Sequence, residues 1–160
     1  MTMKNSTLES LLEKHHKDAF LWALQCCRYS RDDANDVLQM TYLKIVEGKA
    51  KFKEQSLFKT WLFSVIRFTA IDFMKTKHSY RTLDGLEIVE EPEFNSEETN
   101  YKVLLLQLPE RQREVLLLAF YHQMTLAVIA ETTGLHIGTV RTHYERGKSA
   151  LRKLIETVAI

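Results

Sequence analysis

Between Thr82 and Asn100 the chain carries seven acidic residues, Asp84, Glu87, Glu90, Glu91, Glu93, Glu97 and Glu98, and no lysine or arginine. The stretch has no sustained apolar period and includes Gly85 and Pro92, so it reads as a linker rather than as part of a core. That feature divides the 160 residues into two blocks, each the size of a small domain. Both blocks are basic: residues 1–81 carry a net +5 and residues 101–160 a net +3, and the strip's −7 returns the whole to +1. The expected organisation is a domain over 1–81, a linker over 82–99 and a second domain over 100–160. Two basic modules suit a phosphate-rich partner, because neutralising phosphates supplies much of the affinity for nucleic acid. Charges this modest also describe ordinary solvated helix faces, and charge alone does not choose between the two.

Five glycines and two prolines are too few turn residues for a many-stranded β fold, which points to an all-α chain with short connections. With 45% hydrophobic and 27% charged residues, the chain is globular. No run approaches the ~20 apolar residues of a membrane span, so no stable membrane insertion is expected. The opening residues, Met1 to Thr7, are polar and lack the apolar centre of a signal peptide, and the expected compartment is the cytoplasm. Cys26 and Cys27 are adjacent; a bond between helix neighbours would be strained, and no second pair completes a zinc site. His15 and His16 lie nearby, but no ligand spacing repeats. With no Gly-rich phosphate loop and no nucleophile constellation, neither a cofactor, a metal nor an enzymatic activity is expected.

Periodicity predicts a helix from about Leu8 to Tyr29, a second from Asp32 to Gly48, capped by the one and stopped by the other, and a third from after Ser56 to about Lys77. Beyond the linker a helix runs from about Asn100 to Leu106, and Pro109 opens another within its first turn. Two short helices then flank Gly134, the last continuing to about Ile155. In the second helix Val37, Leu38, Thr41, Tyr42, Ile45 and Val46 share one half of the wheel, enough to bury it. The other half gathers Asp36, Gln39, Met40, Leu43 and Glu47, acidic at its ends and apolar in its middle. That face suits a protein partner, unless Met40 and Leu43 are simply stray surface hydrophobes.

The third helix and the loop before it mix rings with cations: Phe52, Phe58, Trp61, Phe63, Phe68 and Phe73 among Lys51, Lys53, Lys59, Arg67, Lys75 and Lys77. Most of the rings must be core; a few beside cations at the edge could stack unpaired bases. In the C-terminal block Ala130, Gly134 and Val140 stand at offsets 0, 4 and 10. A helix-turn-helix has that spacing: a small residue for close approach, a glycine for the turn, an apolar residue packing back. Beyond the turn Val140, Tyr144, Gly147 and Leu151 share a face, leaving Arg141, Thr142, Glu145, Lys148, Ser149 and Arg152 to bases and phosphates. An ordinary helical hairpin with a polar outer face would show the same pattern.

Taken together these residues resemble the two-domain, extracytoplasmic-function sigma factors of bacterial RNA polymerase. The stretch Asp33 to Lys44 is similar to the segment by which that family's first domain holds the polymerase clamp. Phe58-Lys59-Thr60-Trp61-Leu62 with Ala70 to Lys75 is similar to its promoter-melting segment. Leu108 to Val115 and Ile137 to Thr142 are similar to the second domain, which reads the upstream promoter element. The likeness spans about residues 8–155. Met40 stands where an acid is usual, Phe68 where an asparagine is common, Ala127-Val128 for an acidic pair, and His143 and Gly147-Lys148 for an Arg and an Ala-Arg.

The resemblance implies a function, promoter-specific initiation of transcription including promoter melting, and three partners: core RNA polymerase, promoter DNA and an anti-sigma factor. It implies polymerase docking through Asp36, Gln39, Met40 and Leu43. It implies DNA contacts at Lys53, Ser56, Phe58, Lys59, Trp61, Lys75 and Lys77 for the opened strand, and at Thr139, Arg141, Thr142, Glu145 and Lys148 for the upstream duplex. The alternative is a stand-alone helix-turn-helix regulator whose N-terminal helices form a dimerisation or sensing module.

Overall fold

A computed structural model describes the backbone of residues 4–83 and 99–158 and the side chains of 4–79 and 101–158. Among these residues every regular element is helical, and none of the helices is long and apolar enough to cross a membrane. The chain divides into two compact units, cut between Glu93 and Phe94 inside the acidic strip. Apart from its first two residues and its last, the span 82–99 expected as linker lies outside the described residues.

In the first unit, α1 spans Asn5–Cys26 and buries Ala19, Trp22, Ala23, Leu24 and Gln25. It stops three residues short of the expected Tyr29, because Arg28 and Tyr29 both take left-handed backbone, at φ 53° and 65°. Such geometry costs a non-glycine residue roughly 1–2 kcal/mol; burial of the Tyr29 ring and a 2.7 Å bond from its N–H to the carbonyl of Leu24 offset it. The reversal lets Ser30, rather than the expected Asp32, start α2 (Arg31–Val46), its hydroxyl accepting from the N–H of Asp33. Asp32 and Asp33 sit in the first turn, where their charge favours the helix dipole.

Gly48 does end α2. At φ 76° it closes a Schellman motif, in which the N–H groups of Lys49 and Gly48 donate to the carbonyls of Lys44 and Ile45. α3 follows at Phe58–Leu83, ending six residues beyond the expected Lys77. Its inner face, Leu62, Phe63, Ile66 and Ala70, is buried against α1 and α2. The Trp22 and Phe63 rings stack, centroids 5.6 Å apart, and the Trp22 indole N–H donates to the Phe63 carbonyl at 3.1 Å. One tie is ionic: Lys77 Nζ lies 2.7 Å from both carboxylate oxygens of Asp33, holding the far part of α3 to the start of α2.

The second unit comprises α4 (Thr99–Leu106), α5 (Glu110–Leu116), α6 (Leu126–Thr133) and α7 (Ile137–Val158). Pro109 precedes the first turn of α5 rather than lying in it, with ψ 143°. α5 runs straight into a π turn, Leu117–Tyr121, closed by the His122 N–H donating five residues back to the Leu117 carbonyl. Thr125 caps α6 by accepting from the Val128 N–H. Gly134 ends it at φ 73° with open space around its missing Cβ, so the turn requires the glycine for its backbone rather than for room.

Gly147 is the reverse case. A Cβ there would meet the Leu116 side chain at 3.1 Å, and both residues are buried. Gly147→Val is therefore expected to lower the stability of this unit by roughly 1–3 kcal/mol through overpacking, read as a lower urea midpoint. A midpoint at or above the wild-type value would mean that α5 and α7 can part freely.

Candidate protein-docking and nucleic-acid interfaces

The two sides of α2 separate cleanly. Ala34, Val37, Leu38, Thr41 and Ile45 are buried, and Thr41 satisfies its hydroxyl by donating to the Val37 carbonyl at 2.8 Å. On the other side Asp36 and Gln39 are exposed, with Met40 at 41% and Leu43 at 57%. Val46, expected inside, is 74% exposed. At ~100° per residue it falls about 120° from the centre of the buried stripe, beside Leu43 rather than beneath it. Lys44 turns the other way, its ammonium donating to Thr69 Oγ1 on α3 at 3.0 Å. The outward face is thus Met40, Leu43 and Val46, with acids at its margins.

The loop from Glu47 to Leu57 and the start of α3 divide the expected strand-contacting residues. Lys53 is exposed and Ser56 half-buried. Phe58 is only 8% exposed. Its ring lies 5.5 Å from those of Trp61 and His15, with Phe52 5.4 Å away, edge-on. The Phe58 ring is thus packed into an aromatic cluster at the base of the loop, and Trp61, half-buried, belongs to the same cluster.

Lys59 has a partner within the domain, Asp18 at 3.5 Å, and sits 5.4 Å from the Phe63 ring centroid. Lys75 is exposed. Lys77 is aimed at Asp33, whose side chain is 8% accessible, so its charge is matched inside the fold. Leu57, which the sequence reading missed, is an exposed apolar side chain here, and Phe68, which it named among the rings, is exposed as well.

In the second unit Val140 is fully buried and Ile129 with it, so α7 packs back on α6 as the helix-turn-helix spacing requires. The first turn of α7 gains a side-chain acceptor, the Gly138 N–H donating to His136 Nδ1 at 3.2 Å. Thr139, Arg141, Thr142 and Glu145 are exposed. Lys148 is half-buried: its ammonium lies 4.4 Å from the Tyr144 ring centroid and 3.7 Å from Glu145. Tyr144 in turn stacks on Phe120 at 5.8 Å. The π turn leaves Phe120 and Tyr121 exposed, beside a shallow groove lined also by Tyr101, Leu105, Leu116 and Leu117.

Cys26 and Cys27 are not joined in a disulfide; Cys26 is half-buried and Cys27 buried. Burial, with the nearby Asp33 carboxylate adding to it, pushes the Cys27 thiol up to about 12, so it stays protonated and poorly nucleophilic.

Two family models match the chain in order, Sigma-70 region 2 over residues 11–80 and Sigma-70, region 4 over residues 100–151. The RNA polymerase sigma factor SigV of Bacillus subtilis (strain 168) is 27% identical over 156 residues, 93% of each chain. The ECF RNA polymerase sigma factor SigW of the same strain is 26% identical over 140 residues, 76% of this chain and 74% of that one. The fold is similar to that of the sigma factor RpoE solved with the anti-sigma factor NepR from Bartonella quintana. That likeness has a TM-score of 0.79 at 22% identity and covers 94% of this chain and 97% of that one. It is similar also to CnrH solved with the cytosolic domain of CnrY, with a TM-score of 0.71 at 20% identity, covering 96% and 90%.

Proposed function

This chain belongs to the sigma-70 family, as an RNA polymerase sigma factor of the extracytoplasmic-function group that directs transcription, and from that premise we propose how its residues divide the work of promoter-specific initiation. The observation that carries the proposal is the pairing in one chain of an exposed apolar face on α2, set among acids, with a helix-turn-helix whose second helix leaves its polar side open.

The first domain, residues 1–81, docks on core polymerase through Asp36, Gln39, Met40 and Leu43. Lys53 and Ser56 in the loop before α3 and Lys75 near its end hold the opened strand, with Phe58, Trp61 and Lys59 bracing that loop. An extruded base loses a few kcal/mol of stacking, and protein contacts at ~1–3 kcal/mol per stacked base can offset it. The acidic strip, residues 82–99, joins the two domains, and the second, 100–160, reads the upstream element. α7 enters the major groove there and presents Thr139, Arg141, Thr142, Glu145 and Lys148.

The partners are core RNA polymerase, promoter DNA and an anti-sigma factor that holds the chain inactive; the likeness to a sigma factor solved with its anti-sigma factor supports the last. The work is binding without covalent chemistry, done in the cytoplasm where polymerase and genome meet. A stand-alone regulator is not favoured, because residues 11–80, where its dimerisation or sensing module would lie, match Sigma-70 region 2.

Transcription with core polymerase on a library of genomic fragments tests the whole reading. The expected result is initiation at discrete sites only when the chain is added, together with its co-purification with core. A chain that neither binds core nor restores initiation would sink the reading.

The upstream contacts are tested one by one. Arg141→Ala is expected to weaken upstream-element binding and relax specificity at one base pair by ~1–3 kcal/mol. Lys148→Ala, whose ammonium already has Tyr144 and Glu145 as neighbours, is expected to weaken all sequences alike and reduce the salt slope by about one. Core binding stays unchanged in both. Unaltered DNA affinity in both variants across a salt titration would remove α7 from the interface.

A further inference from the structure

In the second domain the π turn and α7 together build a ladder of two rings and a cation. The Phe120 ring lies against the Tyr144 ring of α7, centroids 5.8 Å apart and planes 24° from parallel. One turn further along α7, the Lys148 ammonium lies 4.4 Å from the Tyr144 ring centroid. The ladder needs α5 and α7 to run close together, and Gly147 permits it. A Cβ there would meet Leu116, the residue before the π turn, at 3.1 Å. The turn itself then carries Phe120 outward, where it is 54% exposed. Its neighbour Tyr121 is turned to His122 instead, the two rings meeting edge-on at 5.0 Å. Gly147 and Lys148, which stand where the family has an Ala-Arg, are both used by this arrangement.

A lysine on an open helix face samples many rotamers, and fixing them opposes binding when the ammonium meets a phosphate. In Lys148 part of that freedom is already gone. Its ammonium is drawn to the π-face of Tyr144 and lies 3.7 Å from Glu145. Glu145 alone would hold it loosely, because that side chain is 65% accessible and exposed ion pairs are weak. The ring of Tyr144 is the firmer hold, and Phe120 stacked on it fixes that ring in turn. We propose that Phe120 and Tyr144 are positioning residues for Lys148, keeping its ammonium poised for a backbone phosphate of the upstream element. The inference rests on the reading of α7 as the helix in the major groove and deepens it. Phe120 belongs to neither helix of the helix-turn-helix, yet its ring sets how readily one of them grips the duplex. A phosphate contact carries no sequence information, so the ladder adds affinity at every upstream element alike.

The test uses the full chain with saturating core polymerase and reads the affinity of the closed complex for promoter duplex. Phe120→Ala is expected to weaken that affinity about 2- to 12-fold, equally on two promoters with different upstream elements. Phe120→Tyr, which keeps the flat ring, should retain wild-type affinity. Phe120→Leu, which keeps apolar bulk without the ring, should not. The decisive readout is the Lys148→Ala background, where Phe120→Ala should cost nothing more, because the charge it positions is gone. A merely structural role for the ring would cost the same in both backgrounds. Additive losses overturn the inference, as does wild-type affinity in Phe120→Ala or Phe120→Leu beside a weakened Lys148→Ala. A loss confined to core affinity overturns it too, by making the ring a protein contact. Wild-type DNA affinity in Lys148→Ala is a different result, which removes that phosphate contact from the reading of α7 and this inference with it.

Discussion

Leu43→Asp is expected to abolish binding to core polymerase while leaving the helical fold intact. Leu43 stands on the face of α2 opposite the buried stripe and is 57% exposed, so a carboxylate there is solvated in the free chain and costs the fold little. In the complex the change removes ~1.5–3 kcal/mol of apolar burial and adds a desolvated charge. A combined loss on the order of 3 kcal/mol or more corresponds to at least about a hundredfold in affinity. Circular dichroism checks the fold, and fluorescence anisotropy against core polymerase checks the binding. An unfolded mutant would show that the face belongs to the core, and wild-type affinity would show that it docks on nothing.

The second large effect concerns Lys77, which by sequence looks like a DNA contact and by structure is half of an ion pair. Lys77→Ala leaves the Asp33 carboxylate, 8% accessible, without its cation. Removing one partner of a fully buried pair costs ~3–5 kcal/mol. The Lys77 side chain keeps 21% of its accessibility, which places the expected loss nearer 2 kcal/mol. The measured quantity is the unfolding free energy of the first domain within the full chain. The double change Asp33→Asn with Lys77→Met should recover part of that loss, because it removes both charges. A Lys77→Ala variant with wild-type stability and weakened DNA binding would reverse the assignment.

Much of this was legible in sequence where the physics is local. The 3.6-residue period placed Leu43 outside and Val37 inside, and Gly48 and Gly134 marked helix ends because their left-handed backbone is a residue-level property. What could not be read is long-range or degenerate. Nothing in a string of letters links Asp33 to Lys77 across 44 positions, and a lysine near a basic helix end looks the same paired or free. Ser30 and Asp32 are both able caps, and only the left-handed turn at Arg28 and Tyr29, built without glycine, selects the first. Phe58 and Phe68 are the same residue ten positions apart. One is a brace and the other is in solvent, a distinction set by whether α1 reaches that side of α3.

The π turn at Leu117–Tyr121 amounts to a single inserted residue carried inside a continuous helix. One residue is worth about 100° of helical phase. An uninterrupted α-helix would align Leu117 with Tyr121 and bury the latter, whereas the longer turn aligns it with His122, which is the residue found buried. Phe120 and Tyr121 are outside for that reason rather than through any polarity of their own. A one-residue deletion between Leu117 and His122 would let the helix wind regularly and still bring His122 into line with Leu117, so the cap at Thr125 and the turn at Gly134 would keep their phase. A relative one residue shorter here is therefore expected to keep every side chain on either side of the gap facing as it does in this chain, and to lose only one of the two outward aromatic positions.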